Sequence, residues 1–209
     1  MNPRSPFEHQ RDAMSALDRL DETHASYSTL VVLPTGGGKT YTASTWLLRN
    51  AIDRERKVLW LAHRQTLLEQ AADSFQRYAY ASELPHISSF HYRIISGAPS
   101  HDRTSDIQPF DDLLIISKDS LSRNLERLND WLESEEELYL IIDEAHHSTA
   151  KTYRRIIDHV AARVPYVKML GLTATPFRTA ESEQGLLARI YKDGVADGQT
   201  VQGDIGIAY

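Results

Sequence analysis

The chain has 209 residues, 41% of them hydrophobic and 25% charged, which is typical of one globular domain with a sizeable core. It contains no cysteine, which excludes disulfides and thiolate zinc sites, and no apolar run approaches the ~18 residues of a membrane helix. The formal net charge of −6 excludes a global basic field, so any binding of nucleic acid has to be local.

The N-terminus, MNPRSPFEHQ, has no apolar core of the kind that a secretory signal peptide needs. The absence of cysteine fits a reducing compartment. We therefore expect a cytoplasmic protein.

The first strong pattern is a short apolar run followed by a glycine-rich loop. Residues 29–33 are uncharged and all but Thr29 are apolar, which is typical of a strand buried on both faces of a parallel sheet. The loop LPTGGGKT follows, and residues 41–50 then show apolar side chains at helical spacing. Glycines let backbone N–H groups approach an anion, and a helix start adds unpaired donors. The order predicts a phosphate-binding loop, and the alternative is an ordinary glycine-rich turn.

The predicted loop supplies most of a nucleotide site. Lys39 offers a mobile positive charge to terminal phosphates, and the Thr40 hydroxyl is a ligand that suits Mg²⁺. The pattern departs from G-x-x-x-x-G-K-[ST] at Leu33, which stands where the first glycine belongs. The predicted nucleotide-binding residues of this loop are Pro34, Thr35, Gly36, Gly37, Gly38, Lys39 and Thr40.

Strand-like and helix-like segments alternate along the rest of the chain. Strands are predicted at 57–62, 92–96, 113–117, 138–142 and 167–172, and helices at 64–80 and 151–164. This alternation predicts a three-layer α/β domain with a mostly parallel central sheet and helices on both faces. The predicted domain spans residues 1–190. Residues 191–209 show no amphipathic period and are expected to begin an interdomain linker or a flexible tail.

An acidic pair, Asp143 and Glu144, ends the predicted strand at 138–142. The carboxyl edge of a parallel sheet would place this pair beside the phosphate loop. There Asp143 is expected to hold Mg²⁺ through its water shell, and Glu144 to accept a proton from the attacking water. The alternative is a solvated turn or a helix N-cap. His146 and His147 follow the glutamate, so the segment does not match the H-E-x-x-H zinc pattern.

Three segments in this order, LPTGGGKT, IIDEAHH and LGLTATPFR, resemble motifs I, II and III of superfamily-two helicases. The branch that is most similar is the DEAH-type group that includes the helicase subunits of type III restriction enzymes. The resemblance covers most of the chain. It implies a P-loop NTPase fold, the first RecA-like motor domain, and ATP hydrolysis with Mg²⁺ coupled to movement on DNA or RNA.

The segment FEHQRDAM resembles the Q-motif region of the same family. This implies that the Gln10 amide hydrogen-bonds to the adenine edge, with Phe7 or Arg4 stacking on the base. The alternative for Gln10 is a surface residue of a helix.

Two further segments resemble nucleic-acid contacts of the family. WLAHRQTLLEQ resembles motif Ia, which implies that His63 and Arg64 lie at a nucleic-acid phosphate. IISKDSL offers Ser117 and Lys118 at a second strand end. For all of them the alternative is an exposed polar residue at a helix start.

The resemblance also implies residues that couple ATP hydrolysis to nucleic-acid binding. Thr173 and Thr175 would link the nucleotide state to the grip on nucleic acid, and His146 would bridge motif II to that element and to the partner domain. Short hydroxyl side chains at a strand end can exchange hydrogen-bond partners when a phosphate leaves. The alternative for both threonines is turn capping.

Members of this family need a second RecA-like domain, whose arginines stabilise charge on the transferring phosphoryl group. We expect that domain in cis or on another chain, and weak or absent ATP hydrolysis without it. Two other functions stay open at this point. One is a nucleotide-dependent switch or scaffold that recruits a protein, and the other is a metabolic phosphate-loop kinase.

Overall fold

The computed structural model describes residues 5–174, 187–197 and 201–202. The helices are α1 (Glu8–Thr23), α2 (Lys39–Asn50), α3 (Gln65–Tyr78), α4 (Lys118–Ser122), α5 (Asn129–Leu132) and α6 (Lys151–Ala161). The strands are β1 (Tyr27–Val32), β2 (Lys57–Ala62), β3 (Tyr92–Ile95), β4 (Leu113–Ser117), β5 (Glu137–Asp143), β6 (Tyr166–Thr173), β7 (Val195–Asp197) and β8 (Val201–Gln202). A short 3₁₀ turn, Ala145–His147, follows β5.

The described strands form one sheet in the order β3-β4-β2-β5-β6-β1-β7-β8. Strands β1 to β7 run parallel, and β8 pairs antiparallel with β7. Parallel neighbours need long crossover connections, which the helices supply. The predicted α/β class with a mostly parallel sheet is confirmed.

Helices cover both faces of the sheet. Strand β5 shows this division, because Tyr139 and Ile141 pack in a core with α1, α2 and α3. Its alternate residues Leu140 and Ile142 pack in a second core with α4, α5 and α6. Burial on both faces explains why the central strands are apolar along their whole length.

The predicted strands match the observed ones within two residues at either end, and β2 and β4 match fully. Helices α1, α4 and α5 and strands β7 and β8 were not predicted from the sequence. Helices α4 and α5 have five and four residues, too few to show a helical period. Helix α1 buries four apolar side chains, Ala13, Met14, Ala16 and Leu17, within five positions, so its apolar stripe is short in the sequence. The described helices include none that is long and apolar enough to span a bilayer.

The first residues of the expected linker pack on the domain. Tyr191 is fully buried, and Val195 lies opposite Leu30 where β7 pairs with β1. The sheet therefore continues past residue 190. Residues 198–200 and 203–209 lie outside the described part of the chain, and their role as a linker stays a prediction.

Gly171 provides a test of this packing. A Cβ at Gly171 would lie 2.5 Å from Cζ and 2.6 Å from Cε1 of Tyr191. Because the Tyr191 ring is buried, it has no room to swing away, and overpacking of this kind costs about 1–3 kcal/mol. We expect Gly171→Ala to lower the free energy of unfolding by about that amount in urea denaturation.

The matched control is Gly97→Ala, since a Cβ at Gly97 would meet nothing within 4 Å. That variant should unfold at nearly the parent's urea concentration. Equal stability of the two variants would contradict the packing of Tyr191 against β6.

Candidate active site

The carboxyl ends of five neighbouring strands meet at one edge of the sheet. The phosphate loop follows β1, Thr173 ends β6 and Asp143 ends β5, while His63 follows β2 and Ser117 ends β4. Only β6 separates β1 from β5, so the phosphate loop and Asp143 are about 10 Å apart at the strand level. A lysine side chain reaching from the loop spans most of that gap.

The phosphate loop needs its glycines. Gly36 and Gly38 have φ of 76° and 82°, which is the left-handed region that side chains rarely adopt. A Cβ at Gly37 would lie 2.9 Å from the Pro34 carbonyl oxygen, and one at Gly38 would collide with Nε2 of Gln10. The loop is therefore a concave backbone surface that any side chain would fill. Such a surface fits a phosphate group.

Leu33 does not disturb this loop. Its side chain is buried, and its N–H donates to the Thr173 carbonyl oxygen at 3.2 Å. The residue thus extends the pairing of β1 with β6 by one step before the loop turns. This explains how leucine takes the place of the usual glycine.

Gln10 joins the start of α1 to the phosphate loop. Its Nε2 donates to the Gly37 carbonyl oxygen at 2.9 Å, and its Oε1 accepts from the Phe7 N–H at 3.0 Å. The side chain is buried, so the alternative of a surface helix residue is wrong. Phe7 is 54% exposed with its ring stacked on His9, and Arg4 lies outside the described residues. Contact with adenine stays a prediction for both Gln10 and Phe7.

Asp143 is a buried carboxylate with one unsatisfied oxygen. Its Oδ1 accepts from the Glu144 N–H at 3.0 Å, whereas Oδ2 has no hydrogen-bond partner among the described residues. Burial, together with the negative charge of Glu144, raises the pKa of Asp143 to about 6. The positive charge of Lys39 acts in the opposite direction and lowers this pKa. Lys39 and Asp143 therefore lie within electrostatic reach of each other, around an oxygen that suits a cation.

Glu144 has an unusual backbone. Its φ of 55° lies in the left-handed region, which costs a non-glycine residue about 1–2 kcal/mol. The following turn holds His146, whose Nδ1 lies 3.3 Å from Oε2 of Glu144. Both side chains are partly exposed, so this carboxylate faces the surface while Asp143 is buried. The two adjacent acids thus have different surroundings, as their different expected roles require.

The residues expected at nucleic acid come from adjacent strands. Ala62 of β2 lies opposite Ser117 of β4, so the segments after these strands are neighbours. Arg64 is exposed at the start of α3, and His63 is partly buried beside it. The structure therefore brings both segments to the same edge of the sheet.

Ser117 and Lys118 also make local contacts. The Ser117 Oγ accepts from the Ser120 N–H at 3.2 Å and so caps α4. Lys118 Nζ pairs with Oδ1 of Asp119 at 2.7 Å. The helix-start role that the sequence left open for Ser117 is present. Contact of either residue with nucleic acid stays a prediction.

Thr173 is buried at the end of β6, next to the phosphate loop. Thr175 lies outside the described residues, as does the rest of the third motif after Ala174. Their coupling role stays a prediction.

Three features were missed by the sequence analysis. The Trp60 indole lies near enough to Asp143 to lower its pKa, although its N–H forms no hydrogen bond within the described structure. A cavity of about 300 Å³ opens beside Thr40 between α2 and α3, and Tyr41 and Tyr78 line it. The His147 ring packs at a tilt against the His146 ring, with centroids 4.1 Å apart. Only the doubled histidine left a signal in the sequence, since the other two depend on how distant segments pack.

Comparison with known sequences assigns this chain to a family. Residues 4–178 match the family model described as type III restriction enzyme, res subunit. The putative ATP-dependent helicase IRC3 of Saccharomyces cerevisiae is 33% identical over 153 residues, covering 69% of this chain and 20% of that protein. The putative ATP-dependent DNA helicase fml2 of Schizosaccharomyces pombe is 29% identical over 160 residues, covering 76% of this chain and 19% of that protein. The chain thus spans about a fifth of the length of these relatives.

Solved structures share the fold. The UvsW helicase from bacteriophage T4 superposes with a TM-score of 0.61 at 17% identity, covering 92% of this chain and 60% of that one. The Hef helicase domain from Pyrococcus furiosus gives a TM-score of 0.60 at 20% identity, covering 88% of this chain and 37% of that one. The sheet and its helices are therefore of the type found in helicase RecA-like domains.

The raised pKa of Asp143 has a consequence for stability. A carboxyl group with a folded-state pKa above its unfolded value favours folding at low pH, and this contribution is lost as the pH rises through the folded pKa of about 6. At pH 7.5 the ionised Asp143 side chain therefore destabilises the ligand-free fold. We expect Asp143→Asn to raise the free energy of unfolding by about 2–3 kcal/mol at pH 7.5 and by less than about 1 kcal/mol at pH 4.

The measurement is urea denaturation of both proteins at the two pH values. Asp12→Asn is the control, because Asp12 is exposed on α1 and should change stability little at either pH. A loss of stability in Asp143→Asn at pH 7.5 would contradict the buried, unsatisfied carboxylate.

Proposed function

This chain belongs to the type III restriction enzyme res-subunit family, and from that membership we propose that it is the first RecA-like, ATP-binding motor domain of a nucleic-acid helicase or translocase. Its reaction would be ATP hydrolysis coupled to movement along DNA or RNA. The two relatives described above carry the names of ATP-dependent helicases, which supports this choice. No observation on the described residues favours the switch, scaffold or kinase alternatives.

One observation supports the proposal more than any other. The positive charge of Lys39 lowers the pKa of Asp143, although 104 positions separate the two residues in sequence (143 − 39). The concave glycine loop directly precedes Lys39, and the buried Oδ2 of Asp143 has no hydrogen-bond partner among the described residues. A glycine loop, a lysine and a buried unsatisfied carboxylate at one sheet edge fit a nucleotide triphosphate with Mg²⁺.

In this proposal each residue has a defined task. The N–H groups of the loop hold the phosphates, and the Lys39 amine contacts the terminal ones. The Thr40 hydroxyl and Asp143 would hold Mg²⁺, which neutralises charge on the β- and γ-phosphates when bound. Glu144 orients the attacking water and accepts its proton, with His146 beside its carboxylate.

Nucleic acid would bind along the edge formed by the ends of β2 and β4. Arg64 is exposed at a helix start, where backbone N–H groups also favour an anion. With His63, Ser117 and Lys118 it would contact the sugar-phosphate backbone, which carries no sequence information. The relative named as a DNA helicase supports DNA as the substrate, with RNA as the other polymer of the same backbone chemistry.

A complete motor would need a second RecA-like domain. The relatives are about five times longer than the matched segment, which supports such a domain in cis. Thr173 and Thr175 would transmit the nucleotide state toward it, and residues 203–209, which follow β8, would lead to it. ATP hydrolysis would be weak or absent without this partner because its arginines stabilise the transition state.

Lys39 gives the first test of nucleotide binding. We expect Lys39→Ala to weaken binding of Mg²⁺ with a non-hydrolysable ATP analogue by about 10–150-fold, since a hydrogen bond to a charged group contributes about 1.5–3 kcal/mol. Isothermal titration calorimetry measures this loss. Lys151→Ala, an exposed lysine at the start of α6, should bind the analogue as the parent does. Unchanged affinity in Lys39→Ala would refute the proposed site.

Arg64 tests the nucleic-acid edge. We expect Arg64→Ala to weaken binding of a single-stranded oligonucleotide and to reduce the slope of log K against log salt by about one. Fluorescence anisotropy across a salt series measures both quantities. Arg155→Ala removes an exposed arginine of α6 and should leave the slope unchanged. A normal slope in Arg64→Ala would place the nucleic acid elsewhere.

A further inference from the structure

Three histidine rings form a continuous contact at the active-site edge. The His63 ring packs edge-on against His147, with centroids 4.6 Å apart and an interplanar angle of 69°. His147 lies at 46° to His146, with centroids 4.1 Å apart. His146 Nδ1 in turn lies 3.3 Å from Oε2 of Glu144. A chain of side-chain contacts therefore runs from the segment after β2 to the proposed catalytic base.

The fold explains why these rings meet. Strands β2 and β5 are neighbours, and Leu61 lies opposite Ile142. The segment with His63 and the turn with His147 leave these strands at the same edge. His147 is exposed. Among the described aromatic and histidine rings, its ring contacts those of His63 and His146.

The charges around His147 connect the two proposed functions. Partial desolvation of the His147 ring lowers its pKa, and the positive charges of His146, Arg64 and Lys118 lower it further, while Glu144 raises it. Arg64 and Lys118 are proposed nucleic-acid contacts, and Glu144 is the proposed base. His147 thus lies within electrostatic reach of both groups.

His63 is held rather than free to turn. Its side chain is partly buried, and burial together with the charge of His147 lowers its pKa. Its Nδ1 is buried without a hydrogen-bond partner among the residues that the structure describes. A phosphate that contacts the neighbouring Arg64 would therefore lie beside a ring that is packed on His147.

We propose that His147 is a positioning residue that couples nucleic-acid binding at His63 and Arg64 to the placement of the Glu144 carboxylate. The inference rests on the proposed function of the site. Ring packing carries the coupling, because a displacement of His63 shifts His147, and His147 shifts the imidazole beside Glu144. A coupling of this kind is reciprocal, so bound nucleotide changes the affinity for nucleic acid by the same factor.

The test measures this factor in the full chain. The dissociation constant of a fluorescent single-stranded oligonucleotide is measured by anisotropy with and without saturating Mg²⁺ and a non-hydrolysable ATP analogue. The ratio of the two constants should be about 5–150 for the parent chain. In His147→Ala it should fall to within twofold of one. His147→Phe keeps a ring that can pack between the other two, and it should retain at least half of the parent ratio.

Two controls distinguish a loss of coupling from misfolding of the variant. His159→Ala removes a histidine of α6 that contacts Asn129, remote from the ring chain, and should keep the parent ratio. The affinity of His147→Ala for the analogue alone, measured by calorimetry, should stay within about twofold of the parent. A lost ratio with retained nucleotide affinity then reports coupling rather than misfolding.

The outcomes separate the inference from the proposed function. A parent-like ratio in His147→Ala, or a lost ratio in both His147 variants, overturns the coupling through ring packing. A parent ratio of one, with each ligand bound singly, overturns the inference and leaves the nucleotide and nucleic-acid sites standing. A parent chain that binds no nucleotide overturns the proposed function itself.

Discussion

The common direction of strands β1 to β7 is the constraint on which the site depends. The carboxyl ends of parallel strands lie at one edge of the sheet. The segments that follow these ends are not hydrogen-bonded within the sheet. The order β4-β2-β5-β6-β1 then sets which segments are neighbours. It places one strand between the phosphate loop and Asp143, and no strand between Asp143 and His63. The segments proposed to bind nucleotide and nucleic acid thus share one edge because of the strands' common direction and their order.

Several features at this edge reduce stability. Asp143 has a buried oxygen with no hydrogen-bond partner in the described part of the chain, and Glu144 adopts a left-handed backbone conformation. Compensation comes from elsewhere in the molecule. The apolar cores on both faces and the packing of Tyr191 against Gly171 stabilise the sheet. Such a distribution is expected when a site is built to meet a charged ligand, since the ligand supplies the missing partners.

Contacts between loops matter as much as the motifs themselves. Gln10 is bonded to the backbone of the phosphate loop and to its own helix start, so the loop's shape depends on α1. On the other side of Asp143 the histidine rings join the end of β2 to the turn after β5. Each contact joins a segment that is proposed to bind a ligand to its neighbour. The edge therefore behaves as a set of linked loops rather than as separate binding groups.

The sequence alone determined the fold class and the extent of the central strands, and it located the glycine-rich loop and the acidic pair that are proposed to bind nucleotide. These features are local, because apolar periodicity, glycine content and Lys39-Thr40 are all visible within a few residues of one another. Helices α4 and α5 and strand β7 were missed, since each is too short for a period to emerge. The burial of Gln10, the packing of Tyr191 and the contact of His63 with His147 were decided only by the tertiary structure. Each joins segments that are distant in sequence, and strand order, which no single segment encodes, determines which of them become neighbours.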